Sequence, residues 1–245
     1  FYQFGLEILG TKKSIADAMI IKLTLLILNE VGLKNLVVKI NSIGDAECRP
    51  VFRRDLLNYY KKHVREICPD CKERLKSNPF RVLDCKNPKC QSIKAGTPES
   101  ISYLCSACRD HFKEVLEYLD MMNVPYEIDN TLVRGLDYYS HTVFEVVAIQ
   151  ALKAEELVEP DNGKNKKEIE GPLVTLSLAG GGRYDYLAKL LKAKKDVPGI
   201  GMSIGVDRVI NLPESIKLSP RIIKKPKVFF IQLSFEAKLK CFSVI

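Results

Sequence analysis

Six cysteines fall between Cys68 and Cys108, and their spacing is the first place where this sequence could do chemistry. Cys68 and Cys71 form one CxxC, Cys105 and Cys108 a second, and Cys85 and Cys90 lie between them. Two such knuckles can present four thiolates to one tetrahedral zinc ion, because each short loop lets both of its sulfurs converge. Against that, the second pair runs straight into a predicted helix, six thiols exceed the needs of one ion, and buried free cysteine is an ordinary core residue. A structural Zn2+ on Cys68, Cys71, Cys105 and Cys108 and a set of plain buried thiols therefore both stand. Cys48 and Cys241 stand apart and read as structural.

Two further stretches carry polar chemistry. GGGRYD, from Gly180 to Asp185, sets three glycines before a predicted helix. Glycines there bring backbone amides close to an anionic ligand, or simply make a tight strand-to-helix connection; the spacing is neither GxGxxG nor GxxxxGK[ST]. RGLDYYSHTVFE places Arg134 before a glycine and the pair Tyr138 and Tyr139. Read as a strand, it offers a fixed cation beside aromatic walls with hydroxyl donors, suited to a small zwitterion attached to a phosphate, or a surface arginine next to core aromatics. The opening FYQFGLEILG alternates: Tyr2, Phe4, Leu6 and Ile8 point one way, Gln3, Gly5 and Glu7 the other. That polar face is either the solvated side of an edge strand or the floor of a pocket.

The elements that must hold these residues follow from the hydrophobic pattern. With 245 residues, 46% of them hydrophobic, the chain is globular and long enough for one large domain or two ordinary ones. Thirty-eight basic residues against thirty acidic ones leave +8, a balance that favours polyanionic partners such as nucleic acid. The longest apolar run, near Ile20 to Leu28, is broken by Lys22 and Thr24 and falls short of membrane length, so no membrane association is expected. With no secretory leader read either, the cytoplasm is the expected location and free thiols or metal come before disulfides. The first residue is Phe1, inside a strand-like stretch, and the last residues read as a strand leading into a helix; the sequence reads as a piece cut at both ends.

After the opening strand, helical spacing over residues 14–29 ends at Gly32. LVVKINSIG reads as a short strand stopping in a turn-forming set. RPVFRRDLLNYYKKHVREI is a basic amphipathic helix, the cysteines follow, and HFKEVLEYLDMM is another helix, so residues 45–129 read as an inserted helical module. TLVRGLDYYSHTVFEVVAI and PLVTLSLAG read as strands of a long hairpin with a polar, exposed tip. Residues 212–227, holding several prolines and lysines, read as a linker.

Taken in order, FYQFGLEILG, NSIGDAECR, NPFRVLDCKNPKCQ, LVRGLDYYSHTVFEV, GGGRYDYL and GIGMSIGVDRV resemble the catalytic core of histidyl-tRNA synthetases. RGLDYYSHTVFE and GGRYD resemble the two histidine-specific motifs of that family, and GIGMSIGVDRV the third class II motif. The resemblance implies an α+β fold of the class II type: a mixed, largely antiparallel sheet flanked by helices, with a mainly helical insertion. It divides the chain into catalytic core (1–44 and 130–212), insertion (45–129), linker (213–226) and the start of an anticodon-binding domain (227–245).

The same resemblance implies the activity: ATP-dependent activation of histidine to histidyl-adenylate, then transfer to tRNA(His), with Mg2+ bridging the phosphates. It sets Gln3, Glu7, Tyr138, Tyr139 and Tyr184 around histidine, Arg134 at the α-phosphate, and Arg208 with Gly205 at the far end of ATP. The basic helix near Arg53, Arg54, Lys61 and Lys62 would face tRNA or be a solvated surface. Motif one and the ATP-clamping arginine of motif two are not in this stretch, which implies that it makes no adenylate alone; the complete protein would be a homodimer. Asp207 stands where the family usually has Glu, and Tyr186 where it often has Gly. A histidine-binding, non-catalytic regulatory relative is the nearest rival, and a zinc-dependent nucleic-acid module a more distant one. The presence of Gln3, Glu7, Arg134 and an insertion favours the enzyme.

Overall fold

The computed structural model describes residues 1–133, 138–151, 173–212 and 234–242. Six stretches of β-branched, aliphatic and small residues form strands: β1 (Gln3–Leu9), β2 (Leu36–Ser42), β3 (Tyr126–Ile128), β4 (Ser140–Ala151), β5 (Leu173–Arg183) and β6 (Gly199–Gly205). They make one sheet in the order β1-β6-β5-β4-β2-β3, antiparallel except for the parallel pair β2 and β3. The mixed, largely antiparallel sheet is the one the resemblance implies.

One face of this sheet is closed by α1 (Ser14–Glu30) and α5 (Ser106–Met121). In α1, Ile20, Ile21, Leu25 and Leu28 recur at helical spacing and are buried. Each such side chain contributes roughly 1.5–3 kcal/mol, well above what intrinsic helix propensity supplies, so packing decides this helix. It ends where the sequence predicts. Gly32 sits at φ +92°, its N–H reaches the Asn29 carbonyl, and the Leu33 N–H reaches the Leu28 carbonyl, a paired closure that needs a left-handed residue. Asn123, at φ 50°, ends α5 in the same way: its N–H reaches the Asp120 carbonyl and the Val124 N–H reaches the Leu119 carbonyl.

The region read as an insertion divides between two cores. Its helices α2 (Arg49–Lys62), α3 (Pro69–Ser77) and α4 (Pro88–Lys94) and two 3-10 turns, Pro79–Val82 and Ser100–Tyr103, surround a core of Phe52, Leu56, Tyr60, Phe80 and Leu83. By contrast α5 packs Phe112, Val115 and Leu119 into the main core with α1, and β3 extends the sheet beside β2. Helical patterning alone gives residues 45–129 one character; burial separates the part up to about Leu104 from the rest. The chain continues through two short helices, α6 (Leu187–Leu190) and α7 (Val206–Ile210), to α8 (Phe235–Phe242). The hairpin of β4 and β5 is present, while its polar tip and the linker lie outside the described residues. Among the described residues no helix is long and apolar enough to cross a membrane.

Candidate functional site

Residues directly opposite one another in an antiparallel pair share a face. Leu6, Met202, Gly181 and Phe144 form one such row, on the side covered by α1. The next rows point the other way: Glu7 with Gly201 and Gly182, Gly5 with Ser203 and Gly180, and Gln3 with Gly205. The polar side of β1 therefore lies at the edge of a sheet surface made largely of glycine. β1 is indeed an edge strand, and its Leu6 and Ile8 are the residues that pack inward.

The glycines of β6 have a specific use. A Cβ on Gly201 would stand 1.6 Å from Glu7 Oε2, and one on Gly199 would stand 2.4 Å from the ring of Tyr184. With both absent, the Glu7 carboxylate from β1 and the Tyr184 ring from the end of β5 meet above β6, where the Tyr184 hydroxyl donates to Glu7 Oε2. Burial first, and then the Glu7 carboxylate, push the Tyr184 phenol well above its ordinary pKa, so it remains a donor at neutral pH. Tyr138 stands edge-on to Tyr184 with ring centroids 5.9 Å apart, and Tyr139 packs beside Tyr138 at 4.9 Å. Four of the predicted residues, Glu7, Tyr138, Tyr139 and Tyr184, are thus brought together.

Gln3 lies elsewhere. It is four residues from Glu7 on the same strand face, about 13 Å away. There it lines a cavity of about 430 Å³ with Gly180, Ser203, Gly205, Asp207 and Arg208. Arg208, on α7, donates from Nη1 to the Ser177 carbonyl at 2.8 Å. The start of β1 is tied to α7 by Val206 N–H to the Tyr2 carbonyl and Tyr2 N–H to Asp207 Oδ2, at 3.1 and 2.8 Å. The Asp207 carboxylate at this wall is a hard oxygen donor of the kind magnesium takes, and so fits a magnesium-bound polyphosphate in chemical type.

Two readings of these motifs change. Tyr138 and Tyr139 precede β4 rather than lying in a strand, and Arg134 lies outside the described residues. Gly180, Gly181 and Gly182 are inside β5, so GGGRYD is not a glycine turn into a helix; its glycines make bare strand surface and the turn follows at Tyr184 to Tyr186.

A buried ionic cluster beneath the site was missed in the sequence. Arg183, fully buried, reaches Asp17 of α1 through Nε at 3.0 Å and through Nη2. It also binds Asp185 at 3.0 Å and the carbonyls of Thr11 and Lys13 at 2.9 and 3.2 Å. His111 Nε2, from α5, lies 2.9 Å from the same Asp17. Burial alone would raise the Asp17 carboxyl; bonds from His111 and Arg183 outweigh it and hold the group below the usual carboxylate value. The cluster joins β5, α1 and α5 at the point where Tyr184 leaves the sheet. The signal available was an arginine and an aspartate flanking a tyrosine after three glycines.

The cysteines do not pair as their CxxC spacing suggests. Cys68 and Cys71 gather with Cys85 and Cys90, whereas Cys105 and Cys108 gather with Cys48 and Asp45. The expected quartet of Cys68, Cys71, Cys105 and Cys108 is therefore not a site, because α5 belongs to the main core while α3 belongs to the second. Cys48 joins a cluster instead of standing apart, and the side chain of Cys241 is outside those described.

Comparison with known proteins agrees with this geometry. No family model matches the chain. A histidine–tRNA ligase of Caldicellulosiruptor saccharolyticus is 39% identical over 244 residues, covering 100% of this chain and 53% of that protein. One from Halothermothrix orenii is 38% identical over 248 residues, with 99% and 53% covered. Among solved structures, the apo histidyl-tRNA synthetase of S. aureus matches with a TM-score of 0.59 and 30% identity, over 85% of this chain and 45% of that one. The chain spans about half the length of the curated relatives it matches. Along that span it belongs to the histidine–tRNA ligase family.

Proposed function

We propose that this chain is the part of a histidine–tRNA ligase that holds histidine and one end of ATP. The observation that carries the reading is the meeting of Glu7, Tyr138 and Tyr184 on a glycine surface continuous with the Arg208 cavity. Glu7 accepts hydrogen bonds from the bound amino acid, with Tyr184 fixing its carboxylate and Tyr138 and Tyr139 closing the aromatic side. A smaller apolar amino acid would leave these polar groups unpaired, and rejection on that basis reaches ~10⁴-fold in sites of this kind.

In the reaction, a histidine carboxylate oxygen attacks the α-phosphorus of ATP and the bond to pyrophosphate breaks. A ribose hydroxyl at the tRNA end then attacks the carbonyl of the adenylate and releases AMP. No covalent enzyme intermediate forms, so the protein contributes position and charge. Arg134 is assigned to the α-phosphate by the motif it sits in. Arg208, with Gly205 and Gln3 on the same cavity, is assigned to the ATP side. Asp207, the carboxylate among the residues lining the cavity, would hold a magnesium ion or its water, and the ion would supply positive charge to the phosphates.

For tRNA(His), α2 offers Arg53, Lys61 and Lys62, all exposed, while Arg54 is already paired with Asp55 at 3.0 Å. Neutralised phosphates would make that affinity fall steeply with salt. The complete protein is assigned as a homodimer in the cytoplasm from its family alone. Histidine-dependent exchange of pyrophosphate into ATP, measured on the complete product of the gene, tests the reading. Exchange that requires histidine and no other amino acid supports it; histidine binding with no exchange points instead to the non-catalytic relative.

A further inference from the structure

The thiol clusters have the dimensions of metal sites. Zinc lies about 2.3 Å from each sulfur of a tetrahedral thiolate site, which sets the edge between sulfurs at about 3.8 Å. In the first cluster Cys68 Sγ is 3.8 Å from Cys85 Sγ, and Cys71 Sγ is 3.8 Å from Cys90 Sγ. A disulfide would need about 2.05 Å, and these cysteines are free. All four are buried, with their sulfurs within 4.8 Å of one another. Backbone amides already point at the sulfurs: Cys68 N–H at Cys90 Sγ, 3.3 Å, and Asn87 N–H at Cys85 Sγ, 3.4 Å. Such donors are the outer-shell partners that favour a charged ligand over a neutral one.

The surrounding helices need what an ion would supply. α3 has nine residues and buries only Cys71; α4 has seven and buries only Cys90 and Ile93. Helices this short do not hold together by propensity, and beside their cysteines they bring only Ile93 fully into the module's core. Both are anchored chiefly through their thiols.

The second cluster has a different place and ligand set. Asp45, Cys48, Cys105 and Cys108 present ligand atoms within 4.8 Å of one another. Cys48 Sγ accepts from Cys105 N–H at 3.0 Å. Asp45 Oδ1 accepts from the amides of Glu47 and Cys48, at 2.9 and 3.1 Å, which aims its carboxylate at the group. Asp45 and Cys48 stand where the chain leaves β2 for the module; Cys105 and Cys108 stand where it returns into α5.

We propose that the chain binds two zinc ions, a Cys₄ ion inside the module and a Cys₃Asp ion that clasps the module's entry and exit to the main core. Each coordinating thiol gives up its proton to solvent and no oxidant is involved. The bound pair is structural, since neither ligand set leaves an open position for substrate.

Elemental analysis of the purified chain, with cobalt titration of the reduced, metal-stripped chain as an independent measure, tests this. The expected content is two zinc per chain, with Cys90→Ser and Cys108→Ser each reducing it from two to one. The cobalt titration is expected to end at two equivalents, with the absorption of tetrahedral thiolate cobalt. A titration ending at one equivalent or none, or a spectrum without thiolate charge transfer, overturns the proposal. Because it uses the unsubstituted sequence, the titration decides even where a variant fails to fold.

Discussion

Glu7 and Tyr184 touch across a strand that belongs to neither: the carboxylate of β1 and the phenol at the end of β5 meet above β6, over the bare backbone of Gly199 and Gly201. On the proposed reading, Gly201 would govern histidine binding without being a ligand residue. In Gly201→Ala the new methyl would occupy the position of the Glu7 carboxylate, and the flexible end of that side chain must swing away. A hydrogen bond to a charged group contributes about 1.5–3 kcal/mol, so histidine affinity is expected to fall about ten- to a hundredfold. The thermal midpoint should move little, because the displaced atoms are the tip of an exposed side chain. Calorimetric titration with histidine beside a melting curve checks both halves; unchanged affinity would show that Glu7 does not bind the amino acid.

Glu7→Gln separates a binding role from a structural one. It keeps size and an acceptor oxygen but removes the charge opposite Tyr184. Histidine KM in the exchange reaction should rise by a larger factor than ATP KM. Equal rises would mean that the carboxylate organises the sheet edge rather than the substrate.

The two arginines should fail in different ways. Arg208 lines the cavity and is held by the Ser177 carbonyl, so Arg208→Ala should weaken ATP while leaving histidine binding alone. Arg134→Ala, at the reacting phosphate by its motif, should slow adenylate formation by roughly two to three powers of ten in the complete protein without changing its fold. Single-turnover rates with saturating ATP distinguish them. A normal rate in the Arg134 variant would remove it from the mechanism.

What sequence could supply here was period and order. Alternation in FYQFGLEILG marked the polar face of β1, helical spacing with Gly32 fixed α1, and six ordered segments gave the family. Period says nothing about which sulfurs meet, since that depends on which core each helix joins. The two CxxC pairs look alike in sequence, yet α3 and α5 are buried in different places, and Cys48 becomes a partner only when the segment after β2 meets the start of α5. The same limit hid Asp17. A single aspartate in an apolar helix reads as surface until Arg183 arrives from a strand 166 residues away.

That aspartate predicts an acid-sensitive joint under the site. Its folded-state pKa lies below the ordinary value because Arg183 and His111 hold the carboxylate more strongly than burial opposes it. A carboxyl group depressed in this way contributes its full stability above about pH 4, its unfolded pKa, and loses it as pH falls through the lower folded value. The chain should therefore show a steep drop in its urea midpoint below about pH 4. Removing one member of a buried pair costs about 3–5 kcal/mol when the other is left uncompensated; Arg183 keeps Asp185 at 3.0 Å, so that range is the upper bound for the loss in Asp17→Asn at neutral pH. The acid limb should then flatten, since the titrating group is gone. Urea midpoints measured across the acid range decide it: parallel profiles for Asp17→Asn and the unsubstituted chain would mean that other carboxylates govern acid unfolding and that the Arg183 cluster is held by packing rather than by charge.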